Sequence, residues 1–259
     1  MGTFKISFAG AGNVAGALCK ILHEKNNIIE HIVSRNELRG KLFAANFNST
    51  WSDSYNFPLT SEIIIISVPD HAINDVLGKI QCNENTIVLH TAGAVGTDVF
   101  KGSFNHYGVL YPLQTFSTGR NPDFSSVPLF IEASDNKTFK ILNDLSESLS
   151  KHVFQCDSEH RRMLHLAAVF SCNFSNHMIT RSKEIAATAG FPFEVMEPLL
   201  RETFEKAIEK GPENSQTGPA IRNDENTIKK HIEMLSFSPE LRSIYELISK
   251  SISEFHKNL

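Results

Sequence analysis

A glycine-rich turn, Gly10-Ala11-Gly12-Asn13-Val14-Ala15, lies between an apolar run and a segment with helical spacing. Strand, tight turn and helix in this order are typical of sites that hold the pyrophosphate of a dinucleotide. Gly10 permits the turn, Gly12 lets the backbone approach the phosphates, and a small residue at Ala15 or Gly16 allows close helix–strand packing. The N-terminus of the helix adds free N–H groups and a positive dipole end. The alternative is a turn that merely requires glycine. We predict a nicotinamide cofactor bound through Gly10, Gly12, Asn13, Val14 and Ala15.

The end of the second predicted strand indicates which nicotinamide cofactor is preferred. Sites for NAD(H) place an acidic residue there, which binds the ribose 2′-hydroxyl. Glu30 is the candidate by spacing, but Ile32 and Val33 continue the strand beyond it. The strand ends instead at Ser34-Arg35-Asn36, where a guanidinium could meet a 2′-phosphate with charge-assisted hydrogen bonds. We therefore predict NADP(H) in preference to NAD(H), although Arg35 could also be an ordinary surface charge.

Two further strand ends should border the nicotinamide ribose and ring. In an open α/β sheet the ligand lies across the carboxyl ends of the strands. Ser67, Val68 and Pro69 end the fourth predicted strand, and Thr91, Ala92 and Gly93 follow the fifth. We predict that all six contact the cofactor. His90, immediately before them, could be a proton relay or a structural histidine.

The elements that must position these residues change in character along the chain. Strands alternate with helices in the first part, which predicts right-handed crossovers and a mostly parallel, doubly wound Rossmann sheet. Almost everything after Asp157 has helical spacing, so an all-α domain should follow. We expect a cofactor domain over 1–156 and a helical domain for substrate binding and dimerisation over 157–259. The predicted strands are 4–9, 28–33, 47–51, 62–68, 86–90, 107–113, 127–133 and 152–156, and the predicted helices include 37–46, 70–80, 136–150, 158–189, 224–235 and 239–256.

Net charge, cysteine spacing and the length of the apolar stretches limit which partners and which cellular compartment we expect. The 259 residues carry a formal net charge of −4, which gives no reason to expect binding to nucleic acid or to an anionic membrane. The four cysteines are scattered without a Cys-x-x-Cys pair, so neither a metal site nor a disulfide framework is predicted. No leader or membrane-spanning stretch is recognisable, and we expect a reduced, cytoplasmic protein.

Several motifs in order resemble one family. GAGNVA at 10–15, SRN at 34–36, ISVPD at 66–70 and HTAGA at 90–94 occur with YPLQTF at 111–116 and TGPAIRND at 217–224. The chain thus resembles a Rossmann-like family of NADP oxidoreductases whose C-terminal helical domain has no assigned function. The resemblance implies distant relatives among pyrroline-5-carboxylate reductases and the 6-phosphogluconate and 3-hydroxyisobutyrate dehydrogenases. It further implies a homodimer through the C-terminal helices, with substrate between the domains. Two residues depart from the family pattern: Tyr111 stands where the family usually has histidine, and Ala92 stands where it often has serine.

In those relatives the first half of the long helix faces the nicotinamide, which directs attention to His165, Asn173 and Asn176. A wheel of 100° per residue places His165 and Asn176 on one face, with Asn173 nearby. We predict that His165 is the general acid–base, because an imidazole titrates near neutral pH, and that Asn173 orients the substrate. The alternative is an ordinary polar stripe. Tyr111, Gln114, Asn176 and Arg222 are the predicted substrate-binding residues, although packing and loop formation could also account for Tyr111, Gln114 and Arg222.

The leading functional hypothesis is an NADP(H)-dependent oxidoreductase, of the pyrroline-5-carboxylate reductase or β-hydroxyacid dehydrogenase type, that transfers hydride to or from a small polar substrate. Two alternatives stay open. One is a non-catalytic NADP(H)-binding sensor, an alternative that rests on the departures from the family pattern at Tyr111 and Ala92. The other is a reductase that uses a deazaflavin, which the same fold can accommodate.

Overall fold

The computed structural model of the chain describes residues 3–120 and 122–258. Within them, eight strands form one sheet. The strands are β1 (Lys5–Ala9), β2 (Ile28–Val33), β3 (Thr50–Ser52), β4 (Ile63–Ile66), β5 (Ile87–His90), β6 (His106–Pro112), β7 (Leu129–Ala133) and β8 (Val153–Gln155).

The sheet has the order β3-β2-β1-β4-β5-β6-β7-β8. Every neighbouring pair is parallel except β6 and β7, which are antiparallel. The chain reverses its direction of growth between β3 and β4, so β1 and β4 lie side by side with their carboxyl ends together. This is the point at which doubly wound sheets bind ligands. The predicted Rossmann-like, mostly parallel sheet with a helical C-terminal region is confirmed.

The apolar strands of the sheet centre are covered on both faces. β4 reads Ile-Ile-Ile-Ile, and each of these side chains is at most 1% exposed. Ile63 and Ile65 belong to a core cluster with α1 (Asn13–Glu24), whereas Ile64 and Ile66 pack into a second cluster on the other face. A continuous β-branched run suits a strand that is buried on both sides.

The remaining helices follow the strands much as the spacing predicts. Asn36, Asp135, Asp157, Asp224 and Ser238 each cap a helix by accepting a backbone N–H. The helices are α2 (Glu37–Ala45), α3 (Ile73–Leu77), α4 (Asn136–Leu149), α5 (Ser158–Ala168), α6 (Ser175–Thr188), α7 (Glu197–Lys210), α8 (Pro212–Ser215), α9 (Glu225–Met234) and α10 (Pro239–Lys257).

Several element boundaries differ from the predicted ones; the helix predicted over 70–80, for example, is a 3₁₀ turn, Asp70–Ala72, followed by the short α3. The third strand begins at Thr50, because residues 47–49 belong to the turn that ends α2: Ser49 N–H donates to Ala44 O at 3.0 Å, and Asn48 has a positive φ of 52°. A 3₁₀ turn, Phe193–Met196, precedes α7.

The predicted single helix over 158–189 is interrupted by a change in its backbone hydrogen bonding. Six residues, Val169–Phe174, form a π-helical segment between α5 and α6. A π segment pairs each N–H with the fifth residue back, and such segments are frequent at functional sites.

The chain divides into two compact units, Met1–Asn173 and Phe174–Leu259. The division therefore falls after the end of the sheet near 156, because α5 packs with the sheet through side chains such as Arg161 and His165. The assignment of 157–259 to substrate binding and dimerisation stays a prediction.

Candidate functional site

The turn after β1 passes the end of β4 at a distance that only glycine allows. Gly10 has a φ of 116°, and a Cβ there would lie 2.2 Å from the carbonyl oxygen of Ser67. Its N–H donates to Val33 O at 2.8 Å, which joins the turn to the end of β2. Close approach and positive φ together explain the residue type.

Gly12 faces open space. A Cβ at this position would meet nothing within 4 Å, and Gly12 has no side chain with which to cap α1. The N–H groups of a first helical turn lack partners within the helix, and their positive dipole end attracts anions. A cleft of about 560 Å³ opens here. We call it the glycine-turn cleft, and its lining residues are Gly10, Ala11, Gly12, Val33, Ser34, Arg35, Asn36, Arg39, Tyr55, Ser67, Val68 and Pro69. These features fit the pyrophosphate of a dinucleotide.

The next three residues of the turn direct their side chains elsewhere. Asn13 donates through Nδ2 to Phe116 O at 3.2 Å and accepts from the Thr118 hydroxyl at 3.2 Å. Ala15 is fully buried, and Val14 packs against the same core. A cofactor contact by Asn13, Val14 or Ala15 would therefore use mainly their backbone N–H groups.

A tryptophan fixes the loop between β2 and α2. Trp51 Nε1 donates to Ser34 Oγ at 3.0 Å, and Ser34 Oγ donates to Asn36 O at 3.2 Å. Gly40 makes room for this contact, since a Cβ there would lie 2.1 Å from Trp51 Nε1. Asn36 Oδ1 accepts the Arg39 N–H and caps α2. Several hydrogen-bonding groups of Ser34 and Asn36 are thus already occupied within the protein.

Two arginines remain to face the glycine-turn cleft. Arg35 and Arg39 are both exposed and both line it. Neither guanidinium has a carboxylate partner within residues 3–120 and 122–258. Sequence analysis missed Arg39. The available signal was its position in the first turn of the predicted helix. A basic residue there interacts unfavourably with the helix dipole unless an anion lies nearby.

Glu30, the rival candidate for the ribose, lies away from this cleft. Its carboxylate accepts from the hydroxyls of Thr60 at 2.6 Å and Ser61 at 2.7 Å, and Lys5 Nζ is 3.6 Å away. Lys5 and Ser61 stand at the amino ends of β1 and β4. The Glu30 side chain is therefore held at the amino end of the sheet, whereas the cleft lies at the carboxyl end.

His90 closes the turn that follows β5. Its Nδ1 accepts the Ala92 N–H at 3.2 Å, and its Nε2 lies 3.5 Å from Gly96 O. The ring is fully buried and stacks on Phe100. Burial, followed by the positive charge of Arg161, lowers the pKa of His90 to about 4. Both nitrogens serve the backbone of one turn, which favours the structural alternative over a proton relay.

The turn after β5 also brings Gly93 against His165 of α5. Thr91 donates weakly to Ser67 Oγ at 3.4 Å, and Ala92 is buried in the core. At Gly93 a Cβ would lie 2.7 Å from His165 Nδ1 and 2.8 Å from Tyr111 Cζ. The backbone of Gly93 therefore lies directly against both rings.

Tyr111 and His165 form a hydrogen-bonded pair. The Tyr111 hydroxyl is 3.1 Å from His165 Nδ1, and the rings meet edge to face at 6.0 Å. Burial, with a smaller contribution from the negative charge of Asp70, raises the pKa of Tyr111. The phenol therefore stays protonated at neutral pH and can donate to Nδ1, which leaves Nε2 for a ligand.

A second cleft, of about 470 Å³, opens beside this pair. We call it the His165 cleft, and it is lined by Tyr111, Leu113, Gln114, Thr115, Leu164, His165, Ala167, Ala168, Val169, Ser171, Cys172 and Asn173. Four predicted site residues, namely His165, Asn173, Tyr111 and Gln114, thus share one cavity. Gln114 Oε1 accepts the Thr115 N–H at 2.7 Å, so its amide nitrogen is the group left for a ligand.

Asn176 and Arg222 belong to the second unit. Asn176 is exposed in the first turn of α6, and Arg222 is exposed in the turn before α9. The wheel that placed Asn176 with His165 assumed 100° per residue throughout. The π segment turns through a smaller angle per residue, so that wheel does not apply across Val169–Phe174. The substrate roles of both residues stay predictions.

No group of three or more His, Cys, Asp or Glu side chains in 3–120 and 122–258 could hold a metal ion. No helix in these ranges is long and apolar enough to cross a membrane. All four cysteines have free thiols.

The comparison that decides the family is with a protein described as "putative NADP oxidoreductase" from Bacteroides fragilis. Its crystal structure matches with 38% sequence identity and a TM-score of 0.89, over 97% of this chain and 98% of that one. The chain belongs to this family of NADP oxidoreductases. The family described as "NADP oxidoreductase coenzyme F420-dependent" matches residues 5–93, and the domain of unknown function DUF2520 matches residues 127–252. The resemblance predicted from the motifs is thereby confirmed.

More distant structures share the fold of these NADP oxidoreductases. A 1-pyrroline-5-carboxylate reductase from Streptococcus pyogenes matches with 13% identity and a TM-score of 0.62, over 97% of this chain and 99% of that one. An imine reductase from Myxococcus stipitatus, in complex with NADP⁺, matches with 14% identity and a TM-score of 0.62, over 98% and 93%. No curated protein matches the chain.

The low pKa of His90 predicts a pH-dependent stability. Between the ordinary histidine value of 6.5 and about 4, the unfolded chain takes up a proton that the folded chain does not. The stabilisation from neutral His90 is therefore complete above about pH 6.5 and is lost as the pH falls towards 4. Over that window we expect a decrease of up to about 1.4 kcal/mol per pH unit in the free energy of unfolding.

Urea denaturation of wild type, His90→Gln and His71→Gln at pH 7 and pH 5 measures this. His90→Gln should lower stability at pH 7 but show a smaller loss between the two pH values. His71 is exposed, so its variant should keep the wild-type loss. An unchanged loss in His90→Gln would contradict the assignment.

Proposed function

We propose that the protein is an NADP(H)-dependent oxidoreductase that acts on a small polar substrate with a C=N or C=O group. The Tyr111–His165 pair is the observation that carries the proposal. It packs on Gly93, whose turn follows β5, at the same sheet edge as the glycine-turn cleft. An acid–base group beside a dinucleotide site is the arrangement that a reductase requires.

The cofactor would lie along the carboxyl edge of β1, β2, β4 and β5. Backbone N–H groups at Gly12 and the start of α1 would bind the pyrophosphate. Arg35 and Arg39 would meet the ribose 2′-phosphate, since two unpaired guanidiniums favour a doubly charged group over a hydroxyl. The bound nicotinamide would supply or accept the hydride.

The chain's own residues would contribute a proton donor and would orient the substrate towards it. Tyr111, kept protonated by burial, would donate to His165 Nδ1 and so favour the tautomer with the proton on Nε2. In reduction, His165 Nε2 would give this proton to the substrate nitrogen or oxygen while Nδ1 takes up the Tyr111 hydroxyl proton, and solvent would then reprotonate the phenolate; in oxidation these transfers would run in reverse. The amides of Asn173 and Gln114 would orient the substrate in the His165 cleft.

The lining of the His165 cleft bears on the substrate class. Leu113, Leu164 and Val169 give it apolar walls, and the amides and hydroxyls lie among them. Such a lining suits a small molecule with an apolar frame and one or two polar groups. The names of the Streptococcus and Myxococcus relatives make cyclic imines the first candidates.

The family name of residues 5–93 favours one further candidate, a reductase that exchanges hydride between NADP(H) and coenzyme F420. The glycine-turn cleft would then hold NADP(H), and the His165 cleft would face the deazaflavin. Oxidised F420, the form that accepts hydride from NADPH, therefore belongs in the substrate panel.

Cofactor preference should depend on the two arginines. Arg35→Ala and Arg39→Ala should each weaken NADPH binding about tenfold or more, because each removes a charge-assisted hydrogen bond to the 2′-phosphate. NADH binding should change far less. Calorimetric titration with both cofactors measures this, with Arg120→Ala as the control at an exposed arginine outside the cleft. Equal losses for NADPH and NADH would contradict the 2′-phosphate role.

Turnover should depend on His165. We expect NADPH oxidation with at least one cyclic imine, keto acid, semialdehyde or oxidised F420. His165→Gln should lower kcat about a hundredfold or more while leaving the Kd for NADPH unchanged, since it removes only the proton donor. Tyr111→Phe should have a smaller effect. His160→Gln, at an exposed histidine of the same helix, should match wild type.

Two outcomes would contradict the catalytic role. One is a His165→Gln variant as active as wild type. The other is a wild-type protein that binds NADPH tightly yet oxidises it with no member of the panel, which would instead support the NADP(H) sensor.

We further propose a homodimer through the C-terminal helices. Among residues 174–258 only Ala220, Leu235 and Leu241 are buried, a small core for a folded unit. Many large apolar side chains are exposed there, including Leu199, Phe204, Ile208, Leu247 and Phe255. Apolar surface on this scale marks a protein interface.

Sedimentation velocity should therefore give about twice the chain mass of 28.9 kDa. Ile208→Glu and Leu247→Glu should shift the protein towards the monomer, because each places a charge on the apolar surface. Leu59→Glu, at an equally exposed position of the first unit, should not. A wild-type monomer at micromolar concentration would contradict the proposal.

A further inference from the structure

Arg161 is a fully buried arginine on α5. Arginine is rarely buried unless it is paired, and Arg161 has three partners. Its Nη1 donates to the carboxylate of Glu132, and its Nη2 donates to Val95 O at 2.7 Å and to Ser158 Oγ at 3.2 Å. Its Nε is buried without a hydrogen-bond partner.

The carboxylate of Glu132 gathers further donors. The hydroxyl of Thr97 donates to it at 3.0 Å, and that of Ser158 donates at 2.8 Å. The N–H of Thr97 in turn donates to Ser158 Oγ at 3.0 Å. One cluster of side chains, which we call the Glu132 cluster (Glu132, Arg161, Ser158 and Thr97), therefore joins β7, α5 and the loop after β5.

Each of these three elements also carries or adjoins a residue of the acid–base pair. Arg161 lies four residues before His165, so both side chains project from the same face of α5, about one turn apart. Val95 lies two residues beyond Gly93, against which His165 packs. Glu132 pairs across the sheet with Val109 of β6, and Tyr111 lies two residues further along that strand.

The cluster therefore fixes two things on which the position of His165 depends, namely the placement of α5 on the sheet and the position of the turn that bears Gly93. The bonds from Arg161 and Ser158 to Glu132 set the height and rotation of α5 on the sheet. The bonds to Val95 and Thr97 set the position of the turn that bears Gly93. The 3.1 Å contact between Tyr111 and His165 requires both to be correct at once.

We propose that Glu132 and Arg161 are positioning residues for the acid–base histidine: they hold α5 and the Gly93 turn in the register at which His165 Nδ1 meets the Tyr111 hydroxyl. This inference rests on the proposed function for its consequence in catalysis, but not for its structural content.

The test compares variants that loosen the cluster without removing its charge. Arg161→Lys keeps the cation but loses the forked geometry, because an ammonium cannot reach Glu132 and Val95 together in the same way. Ser158→Ala removes one hydroxyl and is the milder variant, in case Arg161→Lys folds poorly. Arg162→Lys is the matched control. Arg162 neighbours Arg161 and contacts the same loop at Ala94 O, but it is exposed and lies outside the cluster.

The first readout needs neither substrate nor cofactor. Nitrogen NMR of ¹⁵N-histidine-labelled protein reports the ring tautomer, and the His165 signals are those missing in His165→Gln. Wild type and Arg162→Lys should show His165 mainly with the proton on Nε2. Arg161→Lys, and to a lesser extent Ser158→Ala, should show a mixture of the two tautomers, because the bond from Tyr111 is lost.

The second readout is turnover, with the substrate found by the NADPH panel. Arg161→Lys should lower kcat about tenfold or more, since small misplacements of a catalytic group have large effects on rate, while the Kd for NADPH stays at the wild-type value. A folded Arg161→Lys protein with the wild-type tautomer pattern would overturn the proposal. A changed tautomer in a protein without turnover would support the positioning role and count against the proposed function alone.

Discussion

A carbon atom added at Gly10 would lie 2.2 Å from the carbonyl oxygen of Ser67, so the turn after β1 can pass the end of β4 only as glycine. The rest of the candidate site depends on this close approach. It brings the start of α1 over the point where the sheet reverses its direction of growth, where Gly12 lines the cleft and a Cβ added to it would meet no protein atom within 4 Å. The two arginines beyond β2 then lie at the same edge, because Gly10 N–H is bonded to Val33 O.

The two clefts are held by different physical means. The glycine-turn cleft is made of backbone and exposed cations, which suits an anionic ligand. The His165 cleft depends on a buried network, in which Arg161 and Glu132 fix the helix that carries the histidine. Removing one partner of such a pair leaves an uncompensated buried charge. The first cleft should therefore tolerate side-chain changes better than the second.

Sequence analysis predicted the elements whose signals are local. The glycine turn, the apolar run of β4 and the capping residues each follow from spacing and residue type within a few positions. Glu30 was set aside because Ile32 and Val33 continue the strand beyond it, and its carboxylate lies away from the glycine-turn cleft. Its actual partners, Thr60 and Ser61, are distant in sequence and could not be predicted.

What escaped prediction depends on contacts between distant residues. The pairing of Tyr111 with His165, the burial of Arg161 and the placement of Arg39 beside Arg35 arise only when the sheet brings separate strands and helices together. The π segment escaped because periodicity in sequence cannot distinguish one extra residue per turn from a regular helix. The change from strand to helix near 156 is a local signal, whereas the packing of α5 on the sheet, which extends the first compact unit to Asn173, depends on contacts between distant residues.

The binding of NADPH to Gly12→Val tests the central claim most directly. A side chain at Gly12 meets nothing in the protein, so this variant should fold with the wild-type melting temperature, yet the side chain would occupy the space assigned to the pyrophosphate. Calorimetry should show NADPH binding to wild type and to Gly78→Val, an exposed glycine on α3's C-terminal side, and at least about a tenfold weaker affinity for Gly12→Val. Equal NADPH affinity in all three proteins would contradict the account.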